Sequence, residues 1–174
     1  MPNWCNNRVT ISGDKDDIRE VRRVLQDDNG YGTLTEFSYH ALIPMPKALI
    51  GTCSPPRVYD TEEEVEREIA KNVGPDSRPI SRATQSELII KYGTDNWYDW
   101  CTKHWGVKWA TDGDVNMSSD VGYLQYEFAS PWGPPVPVYE ALVGRFPKVA
   151  ISWFYEEPDM GFSGHLEKTT IYNK

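Results

Sequence analysis

Aromatic residues concentrate in one short segment of this 174-residue chain, and that segment constrains the fold more than any other. Residues 92–109 read YGTDNWYDWCTKHWGVKW and hold four of the seven tryptophans. Residues that share one helical face recur at i, i+3, i+4 and i+7, and four residues here have that spacing: Trp97, Trp100, Cys101 and His104. Gly106 is typical of a helix end, and Val107 and Trp109 then alternate as in a strand. The segment predicts a helix and a strand packed in a core built largely from rings.

Alternation and helical spacing elsewhere indicate the fold class. Residues 5–11 alternate in polarity and predict a strand that ends at Ser12-Gly13, and Asp14 is a plausible cap for a helix over 15–27. Further strands are predicted at 105–111, 123–129, 149–155 and 162–172, with a helix that begins in the proline-rich stretch 131–137. We therefore predict a single α+β domain over 1–174: an antiparallel sheet with helices on one face, of ferredoxin-like type, with residues 92–174 as the ferredoxin-like portion.

Residues 43–85 differ from the rest of the chain in composition and predict an irregular helical insertion. Prolines interrupt this stretch repeatedly, and its one strong helical pattern runs from Thr61 to Val73. Thr61 and Glu64 have the spacing of a capping box. Residues 60–68 (DTEEEVERE) hold six acids and one arginine, which is five of the eight excess negative charges. This acidic helix is either a solvated face or a docking surface for a basic partner.

Composition disfavours several classes of function. The net charge is −8 and the sequence pI is near 4.9, whereas proteins that bind nucleic acid by counterion release need clustered Lys and Arg. No apolar run approaches the ~20 residues of a membrane helix, and polar residues interrupt any secretory signal at the N-terminus. The three cysteines do not form a disulfide framework. We expect a cytoplasmic protein with no membrane partner.

Catalytic and metal-binding patterns are scarce. The three histidines share no metal-ligand spacing, and Cys101 with His104 would supply only two of the four ligands of a structural zinc site. The same two residues lie too close along one helix to serve readily as a nucleophile and its base around a substrate. Phosphate-binding and dinucleotide-binding motifs are missing from the sequence. We predict no catalytic residue, no metal and no cofactor.

Two surfaces and one acidic helix are candidate contacts for a protein partner. The loop 129–137 presents Trp132 among prolines, so little entropy would be lost when it binds. The remaining candidate contact residues are Glu62, Glu63 and Glu66 in the acidic helix, and Asp159 and Met160 in the last hairpin. Exposed rings could instead stack on nucleobases. For that alternative the strand over 149–155 would supply Trp153 and Tyr155 from one face, or Phe154 from the other.

Four motifs together resemble the YubB-like proteins, which are small proteins carried by phages and conjugative plasmids. The motifs are NWCNNRVTISG at the start, IPMP at 43–46, the tryptophan-rich segment 92–109, and FASPWGPP at 128–135. The resemblance covers most of the chain, and its most specific part is the pattern WxxWCxxxWGxKW. It implies a mobile-element origin and a ferredoxin-like domain in the C-terminal part. If a phage encodes the chain, the expected location is the cytoplasm of the host cell. It carries over no catalytic residues.

The expected function is therefore that of a non-enzymatic binding protein that engages a host or phage protein. By analogy with other small acidic proteins of mobile elements, it is a candidate anti-defence factor. The alternative is a nucleic-acid or nucleotide binder that uses exposed aromatic rings. The positions of the rings discriminate the two, because a stacking platform needs two or more exposed on one sheet face.

Overall fold

The computed structural model describes residues 3–28, 34–71, 74, 77–110 and 115–167. Its elements are, in chain order, β1 (Trp4–Ser12), α1 (Lys15–Leu25), β2 (Asp27–Asp28), β3 (Leu34–Thr35), α2 (Tyr39–Leu42), β4 (Val58–Tyr59), α3 (Glu62–Ile69), β5 (Ile80–Ser81), α4 (Arg82–Tyr92), α5 (Trp97–His104), β6 (Asn116–Asp120), β7 (Tyr123–Pro131), α6 (Val136–Arg145), β8 (Ala150–Glu157) and β9 (Phe162–Leu166). The chain divides into two compact units. The first comprises Met1–Pro44 and His104–Lys174, and the second is Met45–Lys103.

The first unit contains a five-stranded antiparallel sheet in the order β6-β7-β1-β8-β9. Strands β1, β6, β7 and β8, with helices α1 and α6, have the order of a βαββαβ ferredoxin-like motif, and β9 extends the sheet beyond β8. The predicted α+β fold class is confirmed. The predicted extent of the ferredoxin-like portion, 92–174, omits an essential part, because β1 from the N-terminus is the central strand.

Side chains alternate between a covered and an open face of this sheet. Along β1, Cys5, Asn7, Val9 and Ile11 are buried, whereas the residues between them point to the open face and are more exposed. On the covered face the rings of Phe37, Phe128 and Tyr139 surround Trp153, with centroids 5.7–5.9 Å from that of its indole. Helix α1 begins after Asp14, whose side chain accepts a hydrogen bond from the N–H of Asp16, as the predicted cap requires. Helices α1 and α6 thus pack on the covered face.

The strand predicted at 105–111 is wrong for residues 105–110, and residue 111 lies outside the described part of the chain. Trp105 lies in a turn, residues 106–109 form bends, and none of the six residues is in a strand. Trp105 and Val107 are buried, and the indole Nε1 of Trp105 donates to the carbonyl oxygen of Ile43 at 2.9 Å. Trp105 and Val107 are therefore buried at alternate positions of an irregular segment, and their alternation does not reflect a strand. On the side away from β1, strand β7 pairs instead with β6. Strand β6 reads NMSSD and has no alternation of apolar residues from which a strand could be predicted.

The second unit contains α3, α4 and most of α5. Helix α3 has the predicted capping box, in which the side chains of Thr61 and Glu64 each bond the other's backbone N–H. It ends at Ile69, earlier than the predicted Val73, which is among the residues not described. Helix α4 ends at Tyr92 and is capped by Gly93, whose φ of 75° is the left-handed conformation that favours glycine. The unit begins near the predicted insertion, 43–85, and extends further along the chain. No helix among the described residues is long and apolar enough to cross a membrane.

Candidate functional site

Four exposed apolar side chains lie at the same end of the five-stranded sheet. Trp4 is paired with Pro131, Asn6 with Glu156, and Glu157 with Phe162, so one end of the sheet contains the start of β1, the end of β7 and the β8–β9 hairpin. The exposed residues there are Trp132, Trp4, Met160 and Phe162, with exposed fractions of 56%, 43%, 64% and 36%. We call these four the sheet-end surface. Strands lie about 4.8 Å apart, so the four strands from β7 to β9 span about 15 Å.

Trp132 occupies a backbone conformation that is rare for its residue type. Its φ is 70°, in the left-handed region, where a side chain with a Cβ costs roughly 1–2 kcal/mol. Its backbone N–H donates to the carbonyl oxygen of Asn3 at 2.9 Å, which continues the pairing of β1 and β7 beyond Trp4 and Pro131. A large exposed ring is therefore held in place at a conformational cost.

A buried chain of hydrogen bonds holds the Trp132 loop. The Trp153 indole Nε1 donates to Asn7 Oδ1 at 3.0 Å, and Asn7 Nδ2 donates to Ser130 Oγ at 2.7 Å. Ser130 Oγ in turn donates to the carbonyl oxygen of Gly133 at 2.7 Å, directly after Trp132. Asn7, Ser130 and Trp153 are all buried, and such bonds are costly to break because an orphaned partner loses its solvation. The loop is therefore fixed from the core before any partner arrives.

Trp4 and Trp109 extend the aromatic character of this end of the sheet. Their ring centroids are 6.3 Å apart with planes inclined at 58°, and the Lys108 ammonium lies 4.7 Å from the Trp109 centroid. Neither Trp4 nor Phe162 was among the predicted contact residues. The sequence could have predicted that Trp4 is exposed. In the alternating pattern of the first strand it lies on the same face as Asn6 and Arg8, opposite to the face of the buried residues.

The β8–β9 hairpin is built on a buried carboxylate. Glu157 is fully buried, its Oε2 accepts the backbone N–H of Met160, and its carbonyl oxygen accepts the N–H of Gly161 at 3.0 Å. Among the described residues, no donor reaches its Oε1. Burial raises the pKa of the neighbouring Cys5 thiol to about 11, and the Glu157 charge acts in the same direction. These bonds hold the hairpin that exposes Asp159 and Met160, the two predicted contact residues.

The acidic helix is only partly available for a partner. Glu62 Oε1 accepts hydrogen bonds from Ser81 Oγ and, at 3.0 Å, from Thr84 Oγ1, so this carboxylate connects the start of α3 to the start of α4. Glu63 and Glu66 are exposed, and no hydrogen bond to either carboxylate occurs in the described part of the chain. The three predicted contact residues therefore divide into one structural residue and two exposed ones.

We expect the substitutions Glu62→Lys and Glu63→Lys/Glu66→Lys to separate these roles. The double variant should keep the wild-type free energy of unfolding within about 0.5 kcal/mol per site, because both side chains are solvated. Glu62→Lys should lose about 1–2 kcal/mol, because it removes an acceptor from two hydroxyl groups and places a cation at two helix N-termini. Urea denaturation monitored by circular dichroism measures both. Equal stability of the two variants would show that the Glu62 bonds contribute nothing.

The predicted stacking residues do not form one exposed platform. Trp153 is fully buried, so its assignment as a stacking residue is wrong: its face of β8 is the one that the helices cover. Tyr155 shares that face, is half-buried and contacts the Phe162 ring with centroids 6.2 Å apart. Phe154 lies on the open face, half-buried, with its centroid 5.2 Å from that of the His165 ring. Arg8, which pairs with Phe154 across the strands, is bound to Glu127, so this region offers little to a polyanion.

In the part of the chain that the structure describes, the cysteines and histidines do not assemble a metal site. All three cysteines are buried and outside any disulfide, and the Cys101 thiol lies 3.9 Å from Met45 Sδ. Within the described ranges, no group of three or more Cys, His, Asp or Glu side chains could hold a metal ion.

Comparison with known proteins assigns this chain to no family. A scan of protein-family models found no match, and neither did a search of curated proteins. Among solved structures, the chain is similar to the crystal structure of the protein api92 from Yersinia pseudotuberculosis, of family model DUF1281. The TM-score is 0.46 and the identity 13%, over 95% of this chain and 93% of that one. A likeness of this size assigns neither a family nor an activity.

Proposed function

We propose that this protein is a non-enzymatic binding protein that engages another protein through the sheet-end surface. The observation that carries the proposal is Trp132, an exposed ring in a strained backbone conformation that a buried hydrogen-bond chain holds in place. Strained residues of this kind cluster where a side chain must be presented for function. Tryptophan is also among the residues that contribute most to binding energy in protein interfaces.

The surroundings of Trp132 suit a protein partner better than a small ligand. The sheet-end surface spans four neighbouring strands, about 15 Å, and its exposed side chains are aromatic rings and one thioether. Interfaces of standard size bury about 800 Å² on each partner around a few central anchors. Trp132 and Trp4 would serve as anchors, and Met160 adapts its shape to the surface it meets.

The resemblance to YubB-like proteins supports a phage or plasmid origin and, with it, a host or phage protein as the partner. On this proposal the protein acts in the cytoplasm of the cell that carries the element. Its complex would block a host defence protein, as small acidic proteins of mobile elements do in other cases. Both statements depend on the resemblance, whereas the contact surface depends on the geometry.

Site-specific photo-crosslinking tests the contact surface. A photoreactive amino acid is placed at Trp132, at Met160, or at the control position Val121, which is 81% exposed in the β6–β7 turn at the opposite end of the sheet. After irradiation of plasmid-bearing or infected cells, we expect the same protein adduct from positions 132 and 160. We expect none from 121, because apolar exposure alone does not make an interface.

Two outcomes would contradict the proposal. Equal adducts from all three positions would show that the chain makes only nonspecific apolar contacts. A submicromolar, salt-sensitive complex of the purified protein with DNA or RNA would favour the nucleic-acid alternative, since salt sensitivity is the signature of phosphate neutralisation.

A further inference from the structure

The open face of the sheet, opposite the helices, contains a polar cavity of about 350 Å³. Cross-strand register places Asn116, Glu127, Arg8 and Phe154 in one row across β6, β7, β1 and β8. The next row contains Ala129, Asn6 and Glu156. The small side chain of Ala129 leaves a depression between longer neighbours, which form the walls. The sheet-end surface includes none of these residues.

The charges in the cavity leave one carboxylate in excess. Arg8 Nε donates to Glu127 Oε1 at 2.8 Å, and the amide Nε2 of Gln125 donates to the same oxygen at 3.1 Å. Glu156 is exposed, and its carboxylate makes no ion pair among the described residues. The cavity therefore has a formal charge of −1, with the uncompensated carboxylate on β8.

An aromatic ring lies beside that free carboxylate. Phe154 and Glu156 are two residues apart on the same face of β8, so their Cα atoms are about 7 Å apart. A planar cation that rests on the Phe154 ring therefore lies within reach of Glu156. Asn6, the cross-strand partner of Glu156, and Asn116, on β6, also line the cavity, and their side-chain amides carry neutral acceptor oxygens.

We propose that this cavity binds the guanidinium group of an arginine side chain that belongs to the protein partner. The guanidinium stacks on Phe154 and donates a bidentate pair of hydrogen bonds to Glu156, with the Arg8–Glu127 pair as the far wall. The proposed function supplies only the source of the arginine, whereas the site itself rests on the charge and geometry of the open face.

The chemistry of the walls selects this ligand over its competitors. A phosphate or carboxylate would face the repulsion of Glu127 and Glu156 and would have only Arg8, already paired, as its cation. A lysine ammonium is a compact, strongly hydrated charge and cannot combine ring stacking with a two-point contact. The planar fork of arginine matches both a ring face and a carboxylate.

Nuclear magnetic resonance titration with Nα-acetylarginine amide tests the site without the partner. The neutral isostere Nα-acetylcitrulline amide is the control ligand, because it keeps the shape and loses the charge. We expect saturable shifts of the backbone amides of Ala129, Phe154 and Glu156 with the arginine probe, and at least about fivefold weaker binding of the citrulline probe. A fivefold change corresponds to about 1 kcal/mol, typical of a partly exposed ion pair.

Variants distinguish this inference from the proposed function. Glu156→Gln should lower the affinity for the arginine probe by about fivefold. The matched control Glu140→Gln, at an exposed position on α6, should leave that affinity unchanged. Trp132→Gly should also leave it unchanged, since the sheet-end surface is outside the cavity. Equal binding of the two probes, or no saturable shift on the open face, would overturn the inference. Adducts from position 132 would still support the proposed function in that case.

Discussion

The substitution Trp153→Ala is expected to lower the free energy of unfolding by about 3–5 kcal/mol, the range for removal of a large buried ring. Trp153 is fully buried, and its indole packs edge-on against Phe37, Phe128 and Tyr139. Its removal leaves a cavity between the sheet and the helices. It also leaves Asn7 Oδ1 without its donor, which adds a desolvation cost of about 1–3 kcal/mol if no water replaces the indole N–H.

Thermal unfolding measured by circular dichroism gives the change, with two comparison variants. Trp153→Phe keeps one aromatic ring and loses the N–H group and part of the indole volume, so its loss of stability should be smaller than that of Trp153→Ala. Trp4→Ala removes a tryptophan that is 43% exposed on the same sheet. Its loss in free energy of unfolding should be less than half that of Trp153→Ala. A Trp153→Ala protein with an unchanged melting temperature would show that this ring does not hold the core together.

The main sheet was predictable where one strand face is buried and the other is not. Along β1 the alternation of Val9 and Ile11 with Arg8 and Thr10 gives both the strand and its orientation, because a shift of one residue would bury the arginine. β6 lacked this information, since both of its faces are polar and the strand is defined only by its pairing with β7. The alternation of Trp105 and Val107 led to the wrong prediction of a strand, because an irregular segment can also bury alternate side chains.

The candidate site was predictable in its parts and not in its assembly. The prolines around Trp132 indicated an exposed ring on a stiff loop, and the structure shows that ring 56% exposed. The hydrogen bonds from Trp153 to Asn7 and from Asn7 to Ser130 join residues that are 146 and 123 positions apart in the sequence. Local sequence patterns cannot predict contacts between residues so far apart. For the same reason the sequence left open which face of β8 is covered. The register with β1 decides that Trp153 is buried and Phe154 is not.

At position 132 itself, glycine is expected to be more stable than alanine by about 1 kcal/mol, the reverse of their order inside a helix. The φ of 70° is strained for any residue with a Cβ and unstrained for glycine. Relative to wild type, Trp132→Gly gains this relief and loses the partial burial of the indole. These effects oppose each other, so its free energy of unfolding should stay within about 1 kcal/mol of wild type. Urea denaturation of the three proteins measures the order, and alanine at least as stable as glycine would show that the conformation is not strained.

Binding should respond to the same two variants in a different order. Loss of a central tryptophan from an interface costs 2 kcal/mol or more, which is a rise in Kd of about 30-fold, and glycine and alanine remove the indole equally. We therefore expect both variants to lose affinity for the crosslinked partner to the same extent, although their stabilities differ. Titration calorimetry with that purified partner measures the effect, with Val121→Ala as a control that should bind like wild type. If affinity instead followed stability, with Trp132→Ala weaker than Trp132→Gly, the ring would act by holding the loop. If neither variant lost affinity, the anchor would have to be sought at Trp4 and Met160.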